Sequence, residues 1–122
     1  MRIETEIVTR TDFINILSSN TGVVLFKFGA EWCGPCKKIE SLLYELFDEL
    51  PENVSVYVLD VDVCFDLFSY LKHKKMVNGI PCILAYYRGN ASYAPDQCYA
   101  GTEKSEILQL FDNIKKQALS YY

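Results

Sequence analysis

The segment Trp32-Cys33-Gly34-Pro35-Cys36-Lys37 is where this 122-residue chain carries residues that could do chemistry. Two cysteines separated by two residues have two common uses, half of a metal site or a redox pair. A structural zinc site takes four ligands, usually as two clustered pairs. The sequence has no second Cys-x-x-Cys, and His73 is its only histidine. An iron–sulfur cluster would have to recruit Cys82. No metal ligand set is therefore assigned. Redox chemistry fits the placement better. Cys33 opens the clearest helical pattern in the chain, at the positive end of a helix dipole and beside backbone N–H groups that lack helical partners. Both features favour a thiolate, the species that attacks a disulfide. Cys36, one turn deeper, can attack Cys33 in a mixed disulfide and release the reduced substrate. Pro35 is tolerated there because a first-turn residue needs no N–H for the helix ladder.

The elements that must hold this segment can be read from periodicity. Ile7-Val8 reads as a short first strand. Thr11-Asp12 then caps a helix carrying Phe13, Ile14, Ile16 and Leu17. Gly22 to Phe28 is a nearly continuous apolar run, the pattern of a strand buried on both faces. Ile39, Leu42, Leu43, Leu46, Phe47 and Leu50 form one apolar stripe on a helix over residues 33–50, stopped by Pro51. Val54 to Val61 predicts the next strand, with Val54, Val56 and Val58 on one face. A short helix follows around Phe65, Leu67, Phe68 and Leu71, and Lys72-His73-Lys74-Lys75 reads as a solvated basic loop. Cys82 to Arg88 predicts a strand ended by the turn signal Gly89-Asn90. Gln97 to Ala100 predicts a short returning strand. A last helix after Gly101-Thr102 buries Ile107, Leu110, Phe111, Ile114 and Ala118. The order β-α-β-α-β-α-β-β-α implies an α/β mixed sheet covered by helices on both faces.

Composition narrows the setting. The length argues for a single domain spanning residues 1–122. Half the residues are apolar, too many for a disordered chain. A net charge of −4 argues against nucleic-acid binding, which needs a basic face. Five cysteines, an odd number, do not suit a secreted disulfide framework. The first residues lack the basic and apolar order of a signal peptide, and no apolar run is long enough to span a bilayer. The chain thus reads as a soluble, cytoplasmic protein with no membrane association, its other thiols reduced.

Ala30-Glu31-Trp32-Cys33-Gly34-Pro35-Cys36-Lys37 resembles the active-site signature of the thioredoxin family. Asp60-Val61-Asp62, Gly79-Ile80-Pro81, Tyr87-Arg88-Gly89 and Gly101 fall in family order, so the resemblance covers essentially the whole chain. It implies the thioredoxin fold, a five-stranded or four-stranded mixed sheet flanked by four helices. It implies that Pro81 is cis and faces the redox pair. It implies that Ile80 offers its backbone to a substrate chain. With Gly34 and Pro35, Trp32 would shape the docking surface. The implied activity is reduction of protein disulfides by a Cys33/Cys36 dithiol–disulfide cycle in a monomer. No cofactor is implied beyond that disulfide; recharging would come from a flavin- and NADPH-dependent thioredoxin reductase or from the glutathione system. Two other activities share the motif: an oxidase or isomerase of the same fold, and a non-catalytic binding module.

Several residues depart from the family pattern. Thioredoxins carry a buried aspartate five residues before the tryptophan; here that position is Lys27. One reading sets Lys27 near Cys36, where it stabilises the thiolate. The other sends its ammonium to water or pairs it with Asp60 or Asp62. Gly29 leaves room for something beside Trp32. Cys82 stands where thioredoxins usually have threonine, which would bring a third thiol close to the pair. Cys64 resembles a non-catalytic cysteine of animal thioredoxins, and Cys98 has no counterpart. The segments 62–81 and 89–101 look long for the family and would affect recognition if they flank the site.

Overall fold

The computed structural model describes residues 2–4 and 8–122. It contains β1 (Arg2–Glu4), α1 (Arg10–Ser18), β2 (Val23–Gly29), α2 (Gly34–Lys38), α3 (Glu40–Asp48), β3 (Val54–Asp60), α4 (Phe65–His73), β4 (Cys82–Tyr87), β5 (Gln97–Ala100) and α5 (Lys104–Leu119). The strands form one five-stranded sheet in the order β1-β3-β2-β4-β5. β1, β3 and β2 run parallel, and β4 and β5 antiparallel to their neighbours. This is the predicted mixed sheet, with β2 at its centre and buried along all its length.

Each face of the sheet packs a core of its own. Val24, Phe26 and Phe28 of β2 join Leu84 and Tyr86 of β4 against α1 and α4, through Phe13, Leu17, Leu67 and Leu71. Val23 and Leu25 join Val54, Val56, Ile83 and Ala85 against α3 and α5, through Leu43, Phe47, Ile107 and Ile114. Strand alternation produces the division, since successive side chains leave the sheet on opposite sides. Val54, Val56 and Val58 do share a face, and all five expected residues of the last helix are buried. No helix among the described residues is long and apolar enough to cross a membrane.

Local details correct the expectations. The first strand is Arg2–Glu4, paired with Ser55, Val56 and Tyr57 of β3. Of the expected Ile7-Val8 strand, Ile7 lies outside the described residues and Val8 is not in a strand. A three-residue edge strand holds too few apolar positions to announce itself. The cap of α1 is Thr9 rather than Thr11: its side chain accepts from the Asp12 N–H, and the Asp12 carboxylate accepts from the Thr9 N–H, each at 3.1 Å. Val8 and Phe13 flank this capping box within one core cluster, the placing of a hydrophobic staple.

Four helices were expected, and five segments are present because the helix over residues 33–50 is broken. Ile39, at φ −106° and ψ 1°, separates α2 from α3. The Leu43 N–H then donates to the Ile39 carbonyl at 2.9 Å and restarts the ladder. Neither proline nor glycine marks the break; the β-branched Ile39 side chain is anchored in the second core. Phe65 opens α4 but stays 67% exposed. Lys72 and His73 belong to the last turn of α4 rather than to a loop. Lys75, at φ 63°, and Met76 then close a Schellman turn: Met76 N–H donates to Leu71, and Lys75 N–H to Lys72.

The two long segments meet the motif end of the sheet only at their ends: Asp62 bonds Trp32, Cys64 lines the same cleft as Cys36, and Gly101 donates to the Pro81 carbonyl. Cys82 pairs with Phe28 and Tyr87 with Val23, so the 88–96 loop projects at the start of β2, opposite the cysteines that follow its end. Tyr93 of that loop stacks on Phe13 and meets Tyr70, over which Lys74 also sits. The middles of both segments thus pack at the far end of the aromatic core, while their ends do flank the site.

Candidate active site

β2 ends at Gly29, and a tight turn through Ala30, Glu31 and Trp32 delivers Cys33 to the start of α2. The Cys33 N–H donates back to the Ala30 carbonyl at 3.2 Å. Cys33 is the N-cap of α2, with extended backbone at φ −87° and ψ 104°, and Pro35 sits in the first turn. Cys33 and Cys36 are joined by a disulfide, with their Cα atoms 5.3 Å apart. The Cys36 N–H also donates to Cys33 Sγ at 3.1 Å. The local geometry thus assigns Cys33 the sulfur that a backbone donor can hold as a thiolate. Both cysteines are nearly covered, 4% and 3% exposed, while Gly34 and Pro35 lie at the surface.

Trp32 is 68% exposed, so it is surface rather than core. Its indole N–H donates to Asp62 Oδ2 at 2.7 Å, which fixes the ring across the turn after β3. Asp60 organises that turn, its Oδ1 accepting from the Asp62 N–H at 2.7 Å and the Val63 N–H at 3.3 Å. Both aspartates expected to pair with Lys27 are therefore engaged elsewhere. Among the described residues Lys27 has neither ion pair nor hydrogen bond. It is nonetheless buried, 8% exposed. A Cβ built on Gly29 would lie 2.5 Å from Lys27 Nζ and 3.4 Å from Cys36 Sγ. Gly29 thus makes room for the ammonium of Lys27, two residues back on the same face of β2, and amine and sulfur become neighbours across that space. Burial pushes the Lys27 pKa below its usual 10.5, and the Glu40 carboxylate opposes the shift.

Lys27, Gly29 and Cys36 lie in a solvent-open cleft of about 520 Å³, walled also by Glu40, Tyr44 and Asp60. Sequence reasoning missed Glu40 and Tyr44. The signal was present, because they stand four and eight residues after Cys36, on its side of an approximately helical path.

The substrate side is built by β4. Its first residue, Cys82, pairs with Phe28, which brings Ile80 and Pro81 to the cysteine end of the sheet. The Ile80–Pro81 peptide is cis, as the resemblance implied. Pro81 is buried, and its carbonyl accepts from the Gly101 N–H at 3.2 Å. Gly101 has φ 142°, and a Cβ there would crowd the Tyr99 hydroxyl at 2.7 Å. Cys82 points into the aromatic core, and burial raises its thiol to about 12, with Cys98 adding to the rise. Cys64 is the buried N-cap of α4 and lines the cleft; burial raises its pKa too. Cys98 is exposed on β5. Among the described residues, no group of three or more His, Cys, Asp or Glu is placed to hold a metal.

The chain compares with known proteins as this geometry leads one to expect. A thioredoxin family model matches residues 4–114. Thioredoxin of Bacillus subtilis is 43% identical over 56 residues, 46% of this chain and 54% of that protein. Thioredoxin-2 of Saccharomyces cerevisiae is 32% identical over 85 residues, 70% of this chain and 77% of that protein. A bifunctional thioredoxin reductase/thioredoxin of Mycobacterium leprae is 42% identical over 57 residues, 47% of this chain and 12% of that protein. The chain spans about half the length of the bacterial thioredoxins it matches. In fold it is similar to the structure of Trichomonas vaginalis thioredoxin, with a TM-score of 0.76 and 22% identity over 93% of this chain and 97% of that one. Since the family model takes in β2 to β5, the cysteine turn and most of the last helix together, the chain belongs to the thioredoxin family.

Proposed function

We propose that the chain is a thiol–disulfide oxidoreductase that reduces disulfides of other proteins. The observation that carries this is the Cys33–Cys36 disulfide closed at the head of α2, with the Cys36 N–H directed at Cys33 Sγ. In the reduced protein the Cys33 thiolate attacks one sulfur of a substrate disulfide. A Cys33–substrate bond forms, the substrate bond breaks, and the other substrate sulfur leaves as a thiolate. Cys36 loses its proton and attacks Cys33 Sγ. The internal disulfide re-forms, and the second substrate thiol departs. Two electrons pass to the substrate in each cycle, and the protein needs no prosthetic group to carry them.

Trp32, Gly34 and Pro35 provide the exposed surface around the sulfurs. Ile80, ahead of cis Pro81, offers backbone groups for short β-like pairing with the substrate chain. A flavin- and NADPH-dependent thioredoxin reductase would recharge the disulfide; the fused reductase/thioredoxin of Mycobacterium leprae supports that choice, with glutathione as the other donor. The protein acts as a monomer in the cytoplasm, where Cys64, Cys82 and Cys98 remain thiols.

The test is insulin reduction coupled to dithiothreitol. Cys33→Ser is expected to abolish it, and Cys36→Ser to accumulate mixed disulfides on Cys33, seen by mass spectrometry. Full activity in either variant would sink the mechanism. A reduction potential above about −200 mV would instead mark an oxidase or isomerase.

A further inference from the structure

Lys27, its stem buried and its ammonium turned to the solvent-open cleft, is a cation to which the exchange cycle above gives no role. Its strand neighbours are Val58 and Ile83, both apolar. An ammonium partly desolvated by such neighbours gains from an anion beside it, and among the described residues no carboxylate pairs with it directly. The oxidised pair offers none either, because a disulfide is neutral. An anion does arise beside Lys27 during turnover, when Cys36 gives up its proton. The position on Gly29 that Nζ crowds at 2.5 Å lies 3.4 Å from that same sulfur.

We propose that Lys27 is a positioning residue for the resolving step: its ammonium, lodged over Gly29, holds the Cys36 thiolate that attacks the mixed disulfide. This deepens the exchange reading and rests on it. In the mixed disulfide, Cys36 Sγ–H releases its proton to the water of the cleft. The thiolate stays beside the ammonium until it forms the bond to Cys33 Sγ; the Cys33–substrate bond breaks, and the substrate sulfur carries the electron pair away. The favour is mutual, since the thiolate restores the proton affinity that burial takes from Lys27. Every element around the cleft contributes charged or titratable groups: Glu31 before α2, Lys37 on it, Glu40 and Tyr44 on α3, Asp60 at the end of β3 and Cys64 before α4. Glu40 favours the charged form of Lys27, which the proposal requires.

The experiment follows the reduced protein mixed with dithiobisnitrobenzoate, whose released thiolate is coloured. Attack by Cys33 gives a phase that scales with reagent concentration. Attack by Cys36 gives a phase that does not, and its pH profile reports the Cys36 thiol. Lys27→Met is expected to move that inflection up by about one pH unit, which slows release about tenfold below it. Lys27→Arg keeps the charge and is expected to keep most of the wild-type profile. Gly29→Ala places a methyl 2.5 Å from Nζ, which must then move aside, and is expected to shift the profile in the same direction as Lys27→Met. The Cys33 phase, little changed throughout, shows that the site is folded. An unshifted profile in Lys27→Met and Gly29→Ala would overturn the proposal, as would equal shifts in Lys27→Met and Lys27→Arg. If the wild type shows no concentration-independent phase, the exchange reading itself fails, and the proposal with it.

Discussion

On one face of β2, Val24, Phe26 and Phe28 run without interruption into a cluster of rings from Phe13, Tyr86 and Phe68. On the other face Val23 and Leu25 begin an equally apolar stripe, which then changes to Lys27 and Gly29. The change comes where β2 approaches Cys36. The first face is built for packing along its whole length. The second gives up its last two packing positions to a cation and to the space that accommodates it. Stability and chemistry are thus divided between two sides of one strand.

Substitutions on the two faces should behave differently. Phe26→Ala is expected to have the largest effect, a loss of about 3–5 kcal/mol in urea unfolding, because the removed ring leaves a cavity among rigid neighbours. A loss below about 1 kcal/mol would mean that the aromatic face is loosely packed.

Lys27→Met should act in the opposite sense and gain stability of the order of 1 kcal/mol at neutral pH, since an apolar chain replaces a desolvated ammonium. The gain should depend on pH. Because the folded Lys27 pKa lies below 10.5, the unfolded chain binds more protons between the two values. Wild-type stability therefore rises with pH through that window relative to the variant. The gap between them should narrow as pH climbs toward 10.5 in paired urea titrations. A pH-independent gap would show that Lys27 is charged alike in both states.

The smallest effect concerns Cys82, the thiol that terminates the packing face. With its pKa raised to about 12, Cys82 should resist iodoacetamide at mild alkaline pH in the oxidised, folded protein, while exposed Cys98 is modified. Peptide mapping decides this; rapid labelling of Cys82 would place it within reach of solvent and return it to the redox site.

Much of this arrangement was legible in the residues. The apolar run of β2, the stripe from Ile39 to Leu50 and the buried residues of α5 carry strong periodicity, and strong periodicity leaves few ways to pack. The cysteine motif and Gly79-Ile80-Pro81 were equally plain, because their chemistry depends on residue type and short spacing. The first strand and the cap of α1 were read a few residues away from where they lie. An edge strand of three residues has little pattern, and Thr9 and Thr11 are both good caps until the Asp12 contact selects between them. The break at Ile39 has no local marker.

By itself, then, the sequence determined which strand is central, which faces are apolar and which two cysteines can exchange with a disulfide. These follow from period and from short-range geometry. Only the tertiary structure decided what surrounds Lys27. Asp60 and Asp62 stood equally near in sequence, yet folding commits one to a turn and the other to Trp32. The ammonium instead lies over the vacant side of Gly29, the side that also faces the sulfur of Cys36. That outcome depends on how a strand, a turn and a broken helix converge, and pairings across elements leave no period in the chain.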